Sequence, residues 1–382
     1  MLLRNIALMI VLTVNTGSTS VKLAAFETGQ PSGEAGPAPR RLAARHLTGA
    51  GLDPASALRG LLGQLDRPPA AIVHRVVHGG TRFNGPALID DAAREAIVLL
   101  SELAPLHNPV AVRWIDAAHD VCGPGVRQVA AFDTAFFAAL PPVAAEYALP
   151  PDLGVELGIR RYGFHGLAHE AMWRRWCELE PNLPSGGKLI TVQLGGGCSM
   201  AALERGRPLD TSMGFSPLEG LVMATRSGDV DAAIVPYLER RLGVSGERVI
   251  AMLNERSGLA GMAGDAADPQ SLLDGGADRA RLAVEIYCYR ARKYLGAYLA
   301  VLGGCDGIAF GGGVGEHVAA VRARIVAGLE WAGIELDPAA NQAARGSESR
   351  ICAAASRVRT WVIPVDEELL MVRAALAVAK LA

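Results

Sequence analysis

The chain has 382 residues, 50% of them hydrophobic, and a formal net charge of -2. That length and composition support a sizeable core divided between two domains. The even charge balance, with no block of basic residues, argues against nucleic acid or a membrane surface as partner. The 6 cysteines are scattered without a CxxC pair, which disfavours a disulfide framework and fits a reducing, cytoplasmic compartment.

Residues 1–15 faintly resemble a signal peptide but lack a small-residue cleavage region before Asn15, and the apolar run is too short to span a bilayer. Residues 7–14 read as a buried first strand, and Met9 is as good a start as Met1. Residues 11–14 and 21–26 flank a polar turn and predict a β-hairpin, followed by a Gly/Pro-rich loop over residues 29–40. Residues 54–65 carry a weak helical pattern, residues 71–77 an apolar strand, and residues 91–104 a helix closed by Pro105. A further helix starts near Asn108, a candidate cap, with Pro109 at its first position. Residues 129–132 predict a strand that delivers Asp133.

Prolines at 141, 142 and 150 mark a boundary near residue 150. Beyond it, short strands are expected at residues 189–194, 309–310 and 362–364. Helices are expected at residues 232–242, 281–302 and 318–331, with a last helix over 367–380. Phosphate-type glycine turns recur at Asn15 and in the middle of the chain, which suggests two related α/β halves.

Three glycine-rich turns carry the first chemical signal: NTGSTSVK at residues 15–22, QLGGGCS at 193–199 and FGGGVGE at 310–316. Successive turn amides can cradle phosphate oxygens. Asn15, Ser18, Ser20 and Lys22 could bind a phosphate or a hydrated metal, or simply form a polar hairpin tip. Arg75 follows an apolar strand and meets a glycine pair, and its planar fork suits phosphate or carboxylate oxygens. Asp133 at a strand end can serve Mg²⁺ through water or act as a cap. His165 sits among Arg161, Tyr162, Phe164 and two glycines, where it could donate to a phosphoryl oxygen. His169 lies four residues on, but no third ligand follows at zinc spacing. Arg226 is a second candidate clamp, or else the partner of Asp229 or Asp231. Gly311, Gly312, Gly313 and Gly315 precede Glu316 and a helix and could contact a nucleoside. Glu367 could join a metal site or complement a helix dipole.

Taken together, HRVVHGG (74–80), LAPLHNP (103–109), FDTAF (132–136), RRYGFHG (160–166), DTSMGFSPLEG (210–220) and TRSGD (225–229) resemble the acetate kinase family of short-chain carboxylate kinases. The resemblance spans nearly the whole chain. It implies the two-domain actin-like, ribonuclease H-like α/β fold shared with sugar kinases and Hsp70, with the active site in an interdomain cleft. By this likeness residues 1–150 with the returning helix 366–382 form one domain, and residues 151–365 the nucleotide-binding and dimerising one. It implies reversible phosphoryl transfer from ATP to acetate, with Mg²⁺ (or Mn²⁺ in its place), by a homodimer. Arg75 and Arg226 would hold the carboxylate and equatorial oxygens, His165 would donate to the phosphoryl group, and Asn15, Asp133 and Glu367 would organise the metal. Val77, Leu106, Phe164 and Pro217 would form a small apolar pocket suited to acetate, with propionate as a second substrate. Ser18, Ser20, Lys22, Gln193, Gly195, Gly197, Asp268 and the third glycine run would meet the nucleotide.

The chain departs from that pattern at several places. Gln193 and Gly196 stand where the family usually has His and Asn, and Phe137 where it has His. Asp268 is followed by Pro269 and Gln270, without the arginine that clamps the nucleoside, and Gly311 and His317 replace Thr and Asn. These changes predict a raised KM for ATP or another phosphoryl donor. A nucleotide-binding sensor of the same fold and an acyl-phosphate phosphatase are the rival readings; the sensor would not need a small apolar pocket beside two arginines, and the phosphatase would need an ordered attacking water and a base, for which Asp133 is the candidate.

Overall fold

Apolar residues from Ile10 to Val14 are buried almost completely, which only the centre of a sheet covered on both faces provides. The computed structural model describes residues 8–17, 20–29, 39–49, 51–264 and 267–379. Two compact units divide the chain: Met1–Ala138 with Asp366–Ala382, and Ala139–Val365. The segment from residue 139 to 150 packs with the second unit, where Glu146 bridges Arg160 and Arg161 N donates to Ala145 O at 2.7 Å.

The first unit is built on β1 (Leu8–Thr16), β2 (Ser20–Gly29), β3 (Arg40–Thr48), β4 (Ala71–Val76), β5 (Ala87–Leu88) and β6 (Arg127–Phe132), in the order β3-β2-β1-β4-β6-β5. β1, β2 and β3 run antiparallel as a meander, and β4 and β6 run parallel to β1. Leu12, Val14, Leu23 and Ile72 pack from one sheet face onto Leu58 and Leu61 of helix Pro54–Leu62 and Trp114 of helix Asn108–Cys122. Each such side chain contributes roughly 1.5–3 kcal/mol on burial, so a one-residue slip in any strand would be costly. The C-terminal helix Glu367–Val378 packs against β1, β4 and β6.

The second unit repeats this design with β7 (Lys188–Leu194), β8 (Cys198–Glu204), β9 (Arg207–Thr211), β10 (Gly307–Gly311), β11 (Ser349–Arg350) and β12 (Arg359–Val362), in the order β11-β12-β10-β7-β8-β9. Again a three-strand meander precedes two strands parallel to the first, and a short antiparallel strand closes the far edge. The two related halves expected from the recurring glycine turns are therefore present as one topology used twice. Helix Gly166–Leu179 packs on β7 and β10, and the long helix Asp278–Leu302 on β8. No described helix is long and apolar enough to cross a membrane.

Several expected elements differ in extent. The helix expected over residues 91–104 ends at Leu99 and tightens into a 3-10 turn, Leu100–Glu102. The one expected over 318–331 breaks after Val326, where Gly328 takes φ +79°, and resumes only as the 3-10 turn Glu330–Ala332. The strand expected to reach Pro364 ends at Val362, since proline has no amide to donate. β3 was not legible in the sequence: it is an edge strand whose charged residues obscure any alternation. Most of the loop expected over residues 29–40 lies outside the described residues.

Candidate active site

Strands β1, β4 and β6 are parallel and in register, so their C-terminal ends deliver Asn15, Arg75 and Asp133 to one place. Ligand sites of α/β sheets sit at such strand ends. Arg75 donates to both carboxylate oxygens of Asp133, through Nε at 3.0 Å and Nη2 at 2.7 Å. Its Nη1 donates to Asn15 Oδ1 at 3.2 Å and lies 3.7 Å from Glu367 Oε2. Asn15 Nδ2 donates to that same Glu367 oxygen at 2.7 Å. Burial alone would weaken the Arg75 charge, but the Asp133 and Glu367 carboxylates more than reverse this and raise its pKa.

The neighbouring motifs brace this cluster. Asn108 clamps the backbone of His78, accepting from its N at 3.1 Å and donating to its O at 3.0 Å. Thr134 Oγ1 accepts from Gly79 N at 2.9 Å. Asn108, expected as a cap, thus spends its side chain on the turn after β4. That role explains why LAPLHNP accompanies HRVVHGG.

One guanidinium against two carboxylates leaves an excess of negative charge with oxygen donors, which suits a hard divalent cation. Arg75 occupies both oxygens of Asp133, so a cation would be met chiefly by Glu367 and Asn15, with Asp133 reached through water. Among the described residues no group of three His, Cys, Asp or Glu side chains gathers as a direct metal site.

In the second unit, His165, Gly197 and Arg226 come together. A Cβ at Gly197 would lie 3.1 Å from His165 Cε1 and Nε2 and 3.5 Å from Arg226 Nη1. His165 has φ +57° and ψ +28°, a left-handed backbone that a non-glycine residue adopts at a cost and that often marks a functional position. From there the chain enters helix Gly166–Leu179. His165 Nδ1 and His169 Nε2 both bond Ser199 Oγ, at 2.8 and 2.7 Å, and His169 Nδ1 bonds Thr191 Oγ1 at 2.7 Å. Burial pushes the His169 pKa down to about 3, so this imidazole is neutral.

The alternative ion pair of Arg226 with Asp229 or Asp231 is not what the structure contains. Asp229 is taken by Arg290 at 2.9 Å and by the Tyr294 hydroxyl at 3.0 Å, and Asp231 Oδ1 accepts from Ala233 N. Arg226 Nη1 donates to Pro217 O at 3.2 Å, and burial lowers its pKa. Its loop is pinned by Ser257 N to Thr225 O and Leu259 N to Met223 O. Gly258 has φ +61°, and a Cβ there would lie 2.3 Å from Met223 O, so only glycine lets this loop pack.

Other expected residues are distributed as follows. Val77 and Phe164 are buried, Pro217 is half-buried, and Leu106 is 58% exposed. Val77 and Leu106 belong to the first unit, Phe164 and Pro217 to the second. Ser18 lies outside the described residues; Ser20 begins β2 and Lys22 pairs with Asn15 in the β1–β2 register. Gln193, the penultimate residue of β7, pairs with Gly311 of β10, and its buried Oε1 has no partner among the described residues. Gly195 N donates to Gly197 O at 3.0 Å, closing the second glycine turn on itself.

Gly312, Gly313 and Gly315 are themselves in the short helix Gly312–His317, and the helix expected after the run follows as Ala319–Val326. The Glu316 carboxylate accepts from Gly312 N at 3.0 Å and Val365 N at 3.2 Å, so an internal anion already serves that amide. Asp268 is exposed and caps helix Pro269–Asp274, accepting from Ser271 N and Oγ at 2.8 and 2.7 Å. Its Asp-Pro sequence is thus a helix-start signal. Sequence reasoning also missed Ser199, Thr191 and the fully buried Arg322, which holds Gly315 O and Glu316 O. Ser199 could have been found from its place in the second glycine motif; nothing in the sequence distinguishes Arg322 from a surface arginine.

Two α/β sheets of one topology, the first with Arg75 and Asp133 at the ends of its parallel strands, define the architecture of the sugar kinase, actin and Hsp70 superfamily. A model described as the acetokinase family matches residues 61–373. An acetate kinase of Solibacter usitatus is 48% identical over 307 residues, covering 79% of this chain and 74% of that protein. One of Chloroherpeton thalassium is 46% identical over 308 residues, with coverages of 79% and 74%. The crystal structure of Porphyromonas gingivalis acetate kinase aligns with a TM-score of 0.84 at 33% identity, covering 97% of this chain and 100% of that one. A propionate kinase from Francisella tularensis aligns with a TM-score of 0.84 at 32% identity, over 96% and 98% of the two chains. The chain belongs to the acetokinase family.

Proposed function

We propose that this protein reversibly transfers a phosphoryl group from ATP to acetate, giving acetyl phosphate and ADP. The observation that carries this reading is Arg226. It is a half-buried cation beside His165 at Gly197, with no carboxylate partner among the described residues. A desolvated cation left without an internal counter-ion favours an anionic ligand. The names of the related acetate and propionate kinases supply the substrate class.

The acetate carboxylate is already ionised near neutrality, so it can attack the γ-phosphorus without a general base. One carboxylate oxygen forms the new P–O bond while the bond to the ADP oxygen breaks, and ADP leaves with that electron pair. Arg226 and His165 would stabilise the equatorial phosphoryl oxygens, and Arg75 would orient the carboxylate. Asn15 and Glu367 would hold Mg²⁺, with Asp133 through water; the ion supplies charge neutralisation at the phosphates. Val77, Leu106, Phe164 and Pro217 would bound the methyl group. Such a pocket discriminates single methylenes only weakly, so propionate remains a second substrate. We read the protein as a cytoplasmic homodimer with no nucleic-acid partner. Gln193, Gly196 and the missing arginine after Asp268 support weakened contacts to ATP or a different phosphoryl donor.

Hydroxamate trapping of acyl phosphate, crossing acetate, propionate and butyrate with ATP, GTP and pyrophosphate, tests the proposal. Product from acetate and ATP is expected. Product only with another donor would move the altered nucleotide contacts to the centre of its specificity. Nucleotide binding without product from any pair would overturn the kinase reading in favour of a sensor.

A further inference from the structure

Behind His165 runs a chain of hydrogen bonds whose direction can be deduced by counting protons. His165 Nδ1 meets Ser199 Oγ at 2.8 Å, Ser199 Oγ meets His169 Nε2 at 2.7 Å, and His169 Nδ1 meets Thr191 Oγ1 at 2.7 Å. Thr191 Oγ1 in turn donates to the backbone oxygen of Ala201, its cross-strand partner, at 3.5 Å. That oxygen carries no proton and can only accept. Thr191 must therefore spend its single proton on Ala201 and accept from His169 Nδ1–H. His169 is fully buried and neutral, so with its one proton on Nδ1 its Nε2 must accept from the Ser199 hydroxyl. Ser199 then has only a lone pair for His165. The opposite direction would leave the Ala201 contact without a proton, so only one polarity satisfies all four bonds.

We propose that Thr191, His169 and Ser199 are positioning residues that hold His165 with its proton on Nδ1, so that Nε2 can donate to a phosphoryl oxygen only when His165 is the imidazolium. Nε2 is the ring nitrogen that faces Gly197, 3.1 Å from a Cβ built there, with Arg226 on the same glycine. A neutral His165 would present an acceptor at that point, which repels phosphoryl oxygen. Two ionisable groups near it are His169, reached through Ser199, and Arg226, on the same side of Gly197. Burial pushes the thiol of Cys198, next to Gly197 in the chain, up to about 11 despite bonds to Tyr287 and Gly195 that lower it, hence neutral. Arg226 opposes a second positive charge when the site is empty. A phosphoryl group with several negative oxygens reverses that balance, so the imidazolium forms together with ligand. The kinetic consequence rests on the function proposed above; the tautomer does not.

The test is nitrogen-15 NMR of the histidine side chains in the full-length protein. His165→Asn and His169→Asn spectra provide the assignments, and the pH is high enough for both rings to be neutral. The expected result is Nδ1–H on both rings. Thr191→Val, which never touches His165, should let His169 reverse and shift His165 toward Nε2–H, while Thr191→Ser should retain the wild-type tautomer. Ser199→Ala should release His165 in the same way, and serves if Thr191→Val does not fold. In the kinase assay, wild-type kcat should fall about tenfold per pH unit above the His165 ionisation in the ternary complex. That fall should flatten in Thr191→Val, because a neutral ring can then donate from Nε2. A packing defect would lower kcat at every pH without changing the profile. Nε2–H on His165 in the wild type, or an unchanged tautomer in both Thr191→Val and Ser199→Ala, would overturn the proposal whether or not the protein proves to be a kinase.

Discussion

Arg75 grips Asp133 with two parallel bonds, from Nε at 3.0 Å and Nη2 at 2.7 Å, and Asp133 is 1% exposed. Removing one partner strands the other charge away from water, which costs about 3–5 kcal/mol. Asp133→Ala is therefore expected to lower unfolding free energy by that amount as well as abolish turnover. The double variant Arg75→Met with Asp133→Leu should recover most of the stability and none of the activity. Urea denaturation beside the acyl phosphate assay separates the two effects. Equal stability loss in the single and double variants would contradict this account.

Arg226 predicts the opposite balance. Its charge is desolvated and, among the described residues, paired with no carboxylate; its Nη1 donates to Pro217 O and to Met223 Sδ. Arg226→Gln should leave the melting temperature unchanged or higher while kcat drops roughly 100–1000-fold, the range typical of losing one transition-state donor. A variant both unstable and inactive would show that Arg226 serves the fold.

Gly197 has no positive φ, so Gly197→Ala introduces no backbone strain. Its new methyl would press on His165 at 3.1 Å and Arg226 at 3.5 Å, and these side chains would have to give way. The expected result is a lowered kcat with nearly unchanged thermal stability, read by steady-state kinetics and calorimetry.

Asp268 separates a cap from a nucleotide contact. Asp268→Ala should cost about 0.5–2 kcal/mol of stability through the lost cap, with no change in KM for ATP. Asp268→Asn should restore most of the stability. A KM that rises in both variants would return Asp268 to the nucleotide site.

Three buried histidines set an acid limit. Burial pushes the pKa of His74 and His78 down to about 4 and that of His169 to about 3. The unfolded chain binds these protons at its ordinary value near 6.5. The contribution of the neutral rings is thus fully present above about pH 6.5 and is lost as pH falls toward 4 and then 3. Stability should decline below pH 6.5 with a slope approaching 1.4 kcal/mol per pH unit for each histidine. Urea midpoints between pH 5 and pH 8 check it, and a flat profile across that range would refute the assignment.

Motif order made much of this site legible before any coordinates. HRVVHGG, FDTAF, RRYGFHG and TRSGD each place a charged or imidazole side chain beside glycine or a strand end. Such local patterns survive as readable text because the backbone at those points must turn tightly. What was not legible shares a cause as well. Asp268 caps a helix that starts at Asp-Pro, with a cap bond that forms within three residues. Arg226 offered Asp229 as a near neighbour in sequence, yet Arg290 takes that carboxylate from a helix 61 residues away in the chain. Arg322, Ser199 and Thr191 were invisible because their roles consist of contacts to carbonyls and hydroxyls that composition does not mark.

By itself, the sequence determined the α/β class, the strand that ends at Asp133, the two candidate arginines and the family resemblance. Each of these is written in short-range signals of periodicity, glycine punctuation and residue type. Only the tertiary structure decided that one sheet topology is used twice, that Asn15 and Glu367 meet across 352 positions at 2.7 Å, and that Thr191 ends the chain of bonds behind His165. Strand order and cross-sheet hydrogen bonds depend on which distant segments lose least entropy and bury most apolar surface in pairing. That is a property of the whole chain and of no window within it.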